Sequence, residues 1–144
     1  MSVGEIIKAK GADVETIQGD ASVADAVDRL RDEKIGALVV SSDGKAVDGI
    51  LSERDVITGL ADHRDALLSM KVSDLMTTSV RTCSPEDGVR KVMLEMTELR
   101  ARHFPVLDGG RLVGIVSIGD VVKNRLDEVE LEKNVLRDSY IAGR

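Results

Sequence analysis

The chain has 144 residues, of which 42% are hydrophobic and 32% charged, and its formal net charge is −6 at pH 7. An acidic chain with one phenylalanine, one tyrosine and no tryptophan lacks the basic, aromatic surface that nucleic acids bind, so we expect no nucleic-acid partner. No run of about 18 apolar residues occurs, the N-terminal segment is too polar for a secretion signal, and Cys83 is the only cysteine. We therefore expect a cytoplasmic protein without membrane contact.

The first half of the chain alternates between strand and helix patterns. Apolar residues from Val23 to Leu30 recur three and four positions apart, which predicts a helix that Ser22 caps. Two apolar runs joined by SDGKAVD predict a hairpin. In chain order the predicted elements are the strand DVETI (13–17), the helix after Ser22, the strands ALVV (37–40) and GILS (49–52), and the helix ERDVITGLADH (53–63).

The second half repeats the first. GIVSIGDVV at 114–122 echoes GILSERDVI at 49–57 with an offset of 65, and residues 88–106 align with 22–40 with an offset of 66. A repeat of this length indicates a duplicated unit with the order β-α-β-β-α. The predicted divisions are a first unit at 1–62, a connection at 63–71, a second unit at 72–127 and a helical tail at 128–144.

A unit of about 60 residues buries little core by itself, so we expect the two copies to pack together through their sheets. The predicted fold class is α/β (α+β), with the two units related by a pseudo-twofold axis and followed by a C-terminal helix. The tail has an imperfect apolar stripe that either covers the domain or pairs with a second chain, and we favour pairing.

Both copies place a serine and an aspartate three residues apart where a strand becomes a helix: Ser52 with Asp55, and Ser117 with Asp120. One interpretation is a capping box that simply starts each helix. The other is nucleotide binding, since a helix N-terminus attracts phosphate and a carboxylate can accept hydrogen bonds from the two hydroxyls of ribose. The residues alone leave both open.

These motifs, together with IGALVV, RHFPVL and VSDLMTTSV leading into CSPEDGV, resemble a tandem pair of CBS (cystathionine β-synthase) domains, known as a Bateman module. The resemblance covers about residues 3–127. It implies regulatory binding of an adenosine compound such as AMP, ADP, ATP, NAD(H) or S-adenosylmethionine. The positions implied for ribose are Asp120, Asp55, Ser117 and Ser52, and those implied for adenine are Thr82, Cys83, Phe104, Pro105, Ile17, Ile35, Ala37 and Leu38.

The two copies carry different cations. The second copy has Arg102 and His103 where the first has none, and the first copy has Arg54 where the second has Gly119 beside its aspartate. A bound phosphate needs cationic partners. We expect Arg54, Arg102 and His103 to converge on the phosphates of one nucleotide, which would leave a second cleft weak or empty.

The alternative is a structural or interaction protein that keeps the fold without a ligand. An enzyme would need a nucleophile with its base, or an acid and base pair, and the sequence displays neither, so we expect no catalytic residue and no catalytic cofactor. Two histidines and one cysteine form no metal-ligand pattern, so no metal is expected. The resemblance also implies a homodimer that acts on a regulated protein whose identity the sequence leaves unknown.

Overall fold

The computed structural model describes residues 1–11 and 13–142, and for residues 140–142 only the helical backbone. A 3-10 helix, Arg64–Ser69, follows α3 directly and forms the connection between the two halves. The strands are β1 Thr16–Ile17, β2 Ala37–Val40, β3 Gly49–Ser52, β4 His103–Asp108 and β5 Arg111–Ser117. The helices are α1 Val3–Lys10, α2 Val23–Glu33, α3 Glu53–His63, α4 Val72–Leu75, α5 Val89–Leu99 and α6 Ile118–Ala142.

Each half has its own small sheet. In the first half β2 pairs in parallel with β1 and antiparallel with β3, and in the second half β4 and β5 form an antiparallel hairpin. The place of β1 in the second half is taken by Cys83, which bridges Val106 in the parallel direction. The predicted mixed α and β fold of two similar units is confirmed, although the strand predicted at 13–17 is limited to its last two residues.

The predicted helical spacing corresponds to buried faces. In α2, Val23, Ala26 and Leu30 are buried, the last two in the core of the first half, and the Ser22 hydroxyl accepts a hydrogen bond from Asp25 N at 3.1 Å. In α5 the buried residues are Val89, Val92 and Met96. Burying an aliphatic side chain of this size stabilises a fold by roughly 1.5–3 kcal/mol, so each helix is held mainly by its apolar face.

No helix was predicted before the first strand of either unit, but α1 and α4 occupy these positions and lie on the opposite unit. Val3 and Ile6 belong to the core of the second half, whereas Val72 belongs to the core of the first. Matching backbone hydrogen bonds hold both helices, with Val3 N donating to Asp87 O at 2.9 Å and Val72 N donating to Ala21 O at 2.8 Å. The halves therefore exchange their first helices.

The exchanged helices differ in length. After α4 the chain turns to an extended conformation at Met76 (φ −61°, ψ 154°), and Thr77 then pairs antiparallel with Ile50 of β3. In contrast, α1 has eight residues and remains helical as far as Lys10. This difference determines what fills the two clefts described below.

The last helix, α6, starts at the end of β5 and runs for 25 residues, so the predicted tail continues the last helix of the second unit. Val121 is buried in the second core, while Leu126, Leu131 and Leu136 are exposed. Gly143 and Arg144, the last residues of the predicted tail, lie outside the described residues. Among the described helices, none has both the length and the apolar character needed to cross a membrane.

Candidate functional site

The two Ser-x-x-Asp motifs form equivalent helix starts at the end of β3 and the end of β5. Ser52 N donates to Asp55 Oδ2 at 2.9 Å, and Asp55 N donates to Ser52 Oγ at 3.2 Å. Ser117 and Asp120 repeat this pair of bonds at 2.9 and 3.1 Å. The capping interpretation is confirmed for both motifs. It occupies one carboxylate oxygen of each aspartate, Asp55 Oδ2 and Asp120 Oδ2, and the groups around the whole carboxylate decide what else the residue can do.

The first motif opens into a cavity of about 450 Å³ between the two units. Asp55 Oδ1, the oxygen outside the capping box, faces Thr77 Oγ1, which donates to it at 3.3 Å. A cavity of this size is within the range of small-molecule sites. Its lining residues are Gly36, Ile50, Ser52, Glu53, Arg54, Asp55, Thr77, Ser79, Val80, Arg81, Leu99, Arg100, Ala101, Arg102, His103 and Phe104.

The cavity brings together the three cations predicted to converge, which are Arg54, Arg102 and His103. Arg81 and Arg100 also line it. Four arginines face two acidic residues there, so the cavity is net positive although the whole chain carries −6. Within the described part of the chain Arg81 pairs with Glu95, while the other three arginines make no ion pair. The cavity therefore offers cationic groups that an anion can bind.

His103 begins β4 and lies between the two motifs. Burial is the main cause that lowers its pKa, with a further decrease from the positive charge of Lys10, and the nearby carboxylates of Glu53 and Asp120 only partly oppose this. Gly36 leaves room for the ring, since a Cβ there would lie 3.1 Å from His103 Nε2. The imidazole is consequently neutral at pH 7 when no anion is bound.

The second motif is closed by α1. Lys10 Nζ donates to Asp120 Oδ2, the oxygen that also accepts from Ser117 N, at 2.7 Å, and to Ile115 O at 2.9 Å. Burial raises the pKa of Asp120, but the hydrogen bond from Lys10 and the bonds from Ser117 outweigh burial, so the net pKa is lowered. The Asp120 carboxylate already has a cation of the same chain as its partner, and Asp120 does not line the cavity.

The glycine before each motif admits the side chain of an exchanged helix. A Cβ on Gly114 would lie 2.5 Å from Ile7 Cδ1, and one on Gly49 would lie 2.7 Å from Met76 Sδ and 2.9 Å from Thr77 O. These contacts were not predicted from the sequence. The two glycines allow α1 and the end of α4 to pack closely against β5 and β3 at corresponding positions.

Several residues implied for adenine contribute to the protein core. Of that set only Phe104 lines the cavity, and it is fully buried. Burial raises the pKa of the Cys83 thiol to about 12. Ile35 lies in a shallower groove between α2 and α3. The positions that do not line the cavity are Ile17, Ile35, Ala37, Leu38, Thr82, Cys83 and Pro105, and the ribose positions Ser117 and Asp120 are likewise outside it.

Thr77, Arg81 and Arg100 were not predicted as cavity residues, and Lys10 was not predicted as the partner of Asp120. The repeat alignment contained a signal for Lys10, because VGEII at 3–7 aligns with VSDLM at 72–76. Residues that follow each segment lie beside one of the two motifs, Lys10 beside Asp120 and Thr77 beside Asp55. The sequence did not indicate that each segment crosses to the other unit. Arg100 ends α5 in a left-handed conformation (φ 54°), a local geometry that its residue type does not signal.

The chain thus consists of two similar units that exchange their first helices and enclose a cleft between them. The CBS domain family matches residues 3–62 and 72–127, and the chain belongs to this family. It is a tandem CBS domain pair, as the sequence resemblance predicted.

The relatives support this assignment. The chain is 35% identical over 150 residues to the CBS domain-containing protein CBSX3, mitochondrial, of Arabidopsis thaliana, covering 99% of this chain and 72% of the relative. The crystal structure of the CBS-domain containing protein ATU1752 from Agrobacterium tumefaciens has a TM-score of 0.84 and 42% identity, and the match covers 87% of this chain and 99% of the other. The CBS domain pair of protein MJ0100, in complex with 5-methylthioadenosine and S-adenosylmethionine, has a TM-score of 0.79 at 22% identity, covering 89% and 98%.

Proposed function

We propose that the chain is a regulatory module that binds one adenosine nucleotide carrying two or more phosphates, such as ADP, ATP or NAD(H), in the cavity beside Asp55, and transmits the bound state through protein contacts. The observation that carries this proposal is the net positive cavity next to an aspartate with one carboxylate oxygen outside its capping box. The bound adenosine compounds of the MJ0100 pair support adenosine as the ligand class.

The aspartate is suited to the sugar. Asp55 is half-buried at the cavity wall, and its Oδ1 accepts a hydrogen bond only from the Thr77 hydroxyl among the described residues. A vicinal diol can donate to a carboxylate in the same way, and hydrogen bonds to charged groups contribute about 1.5–3 kcal/mol. Ile50 and Val80 provide apolar surface on the same wall for an adenine ring.

The cations favour a charged ligand over a neutral one. Arg54 lies in the first turn of α3, where the helix N-terminus adds to its positive charge. Arg102 and His103 come from the other unit, so an anion in the cavity would contact both halves of the chain. A ligand that joins two units has the geometry needed to alter how they pack, provided that its affinity differs between the two arrangements.

Isothermal titration calorimetry with ATP, ADP, AMP, NAD and adenosine tests the proposal. We expect one site per chain, with ATP or NAD binding more tightly than adenosine. Asp55→Asn should weaken binding by about 30-fold or more, as loss of a charged hydrogen-bond acceptor would. Asp120→Asn is the matched control, because its motif is closed by Lys10, and it should leave the affinity nearly unchanged.

Other outcomes would contradict the proposal. If no adenosine compound binds, the capping box is the only role of Asp55, and the chain is an interaction protein. If Asp120→Asn removes binding and Asp55→Asn does not, the ligand uses the other cleft. A thermal-shift measurement serves as an independent check, because ligand at about 100 times its dissociation constant should stabilise the fold by about 2.7 kcal/mol.

A further inference from the structure

Helix α6 carries, from Val122 onward, an apolar stripe that no other residue covers in the described part of the chain. Val122, Leu126, Val129 and Leu136 are 42%, 63%, 48% and 71% exposed. They fall at alternating intervals of four and three residues, and Lys133 fills the remaining position of the series. Intervals that alternate in this way are the a and d positions of a coiled coil, and they place these side chains along one line of the helix.

The side of α6 that touches its own domain is a different one. Val121 is buried, and Glu128 is half-buried and pairs with the N-terminal ammonium group at 3.7 Å. Leu131 and Val135 extend this second line beyond the domain. The stripe with heptad spacing is therefore directed away from the chain's own core.

The flanking charges indicate what covers the stripe. Arg125 and Glu132 occupy g positions, and Glu130 and Arg137 occupy e positions. In a parallel pair of identical helices each g residue meets the e residue of the partner's next heptad. Arg125 would then meet Glu130, and Glu132 would meet Arg137, so both contacts join opposite charges.

The antiparallel alternative places like charges together. Pairing Leu126 with Leu136 of the partner in the antiparallel direction brings Glu130 and Glu132 of one helix beside Glu130 and Glu132 of the other. Within the described residues Arg125 pairs with Glu128 of its own helix at 2.9 Å, whereas Glu132 and Arg137 make no ion pair. We propose that α6 joins the same helix of a second copy of this chain as a parallel, two-stranded coiled coil over residues 122–140.

A lysine inside the apolar stripe is consistent with pairing to the same helix of a second copy. Lys133 is exposed and sits at an a position, where a single lysine or asparagine specifies the register and number of helices at a cost in stability. Most of the coiled coil, residues 128–140, lies beyond the residues that match the CBS family, which end at 127. It is also independent of whether the cavity beside Asp55 binds a nucleotide.

Disulfide trapping of the full-length chain tests both the partner and the direction. Leu136→Cys, at a d position, should form a disulfide-linked dimer under mild oxidation, because a parallel pair places it beside its own copy. Leu131→Cys, on the other line of the helix, is the matched control and should remain monomeric on a non-reducing gel. Native Cys83 is 7% exposed and does not interfere. Circular dichroism verifies that each variant is folded.

An antiparallel pair, a monomer or a dimer through another surface would each overturn the proposal and give a distinct result. An antiparallel pair would link Leu126→Cys to Leu136→Cys in a mixture but neither variant to itself. A monomer in analytical ultracentrifugation at about 100 µM, or a dimer in which Leu136→Cys does not link, would exclude this interface.

Charge reversal adds a second readout: Glu132→Arg should weaken dimerisation about tenfold, and adding Arg137→Glu should restore it. Failure of that rescue would also reject the parallel pairing.

Discussion

The two clefts have the same helix start, built from the same serine and aspartate with hydrogen bonds of nearly the same length, and yet one is open and the other closed. Asp55 faces a hydroxyl and a cavity, whereas Asp120 faces the ammonium group of Lys10. Duplication therefore preserved the local motif and changed its surroundings. The identity of the motif does not determine whether a site can accept a ligand.

The difference between the open and the closed cleft arises from the residues that follow the fifth position of each exchanged segment. Ile7 and Met76 fill corresponding positions, but Ile7 is followed by Lys-Ala-Lys and Met76 by Thr-Thr-Ser. Lysine and alanine favour helix, whereas threonine and serine lower helix propensity. The first segment therefore continues as helix and brings Lys10 to Asp120, while the second becomes extended and brings Thr77 to Asp55.

The largest expected effect concerns the cations of the open cleft. Replacing Arg54 and Arg102 together by glutamine should weaken ATP binding about 100-fold, because each charge-assisted hydrogen bond to phosphate contributes at least about 1.4 kcal/mol. Adenosine binding should change less than threefold. Calorimetry of both ligands separates loss of phosphate recognition from general damage.

The matched control removes the same charge from the outside of the chain. Arg90 and Arg111 are exposed and do not line the cavity, so replacing both by glutamine should leave ATP affinity within about twofold at 0.15 M salt, where distant charges are screened. An equal loss in this control would mean that ATP responds to overall charge rather than to the cavity.

The two glycines allow the packing around both clefts to be compared. Alanine at Gly49 would place its methyl group 2.9 Å from Thr77 O, a backbone atom that cannot rotate away, whereas alanine at Gly114 would meet the end of the Ile7 side chain. Overpacking costs roughly 1–3 kcal/mol, so we expect Gly49→Ala to reach the upper part of this range and Gly114→Ala the lower. Urea denaturation measures both, and the opposite order would mean that the Ile7 side chain is more rigidly held than the backbone at Thr77.

Removing the closing lysine should make the two clefts more alike. Lys10→Met keeps much of the length of the side chain and removes its charge, which frees the Asp120 carboxylate. We expect a second, weaker binding event in calorimetry, with an affinity at least tenfold below the first. The surface ion pair itself contributes less than about 1 kcal/mol, so the fold should survive. Unchanged stoichiometry would show that Ile7, rather than Lys10, closes this cleft.

The smallest expected effect is a pH dependence from His103. Burial lowers the pKa of this residue in the free protein, and a bound phosphate would raise it, so ligand binding takes up a proton. ATP affinity should consequently increase about threefold between pH 7.5 and pH 6. The His103→Gln variant should lose this increase in calorimetry, and an equal increase in the variant would assign the titration to the ligand or to another group.

Much of the fold was predictable because its signals are local. The predicted helix at 53–63 matches α3, and both hairpins form where their turn sequences indicated. The exchange of α1 and α4 was not predictable, because a repeat alignment pairs equivalent segments without saying which copy each one contacts. The closing of one cleft by Lys10 follows from that exchange, and it depends on an approach between residues more than 100 positions apart.

The exchange of first helices has a consequence for cooperativity. The core around Phe104 includes Val3 and Ile6 from the opposite end of the chain, so the second half cannot complete its interior before the N-terminus docks. Melting should accordingly occur as a single transition, and deleting the first ten residues should destabilise the half that is most distant in sequence.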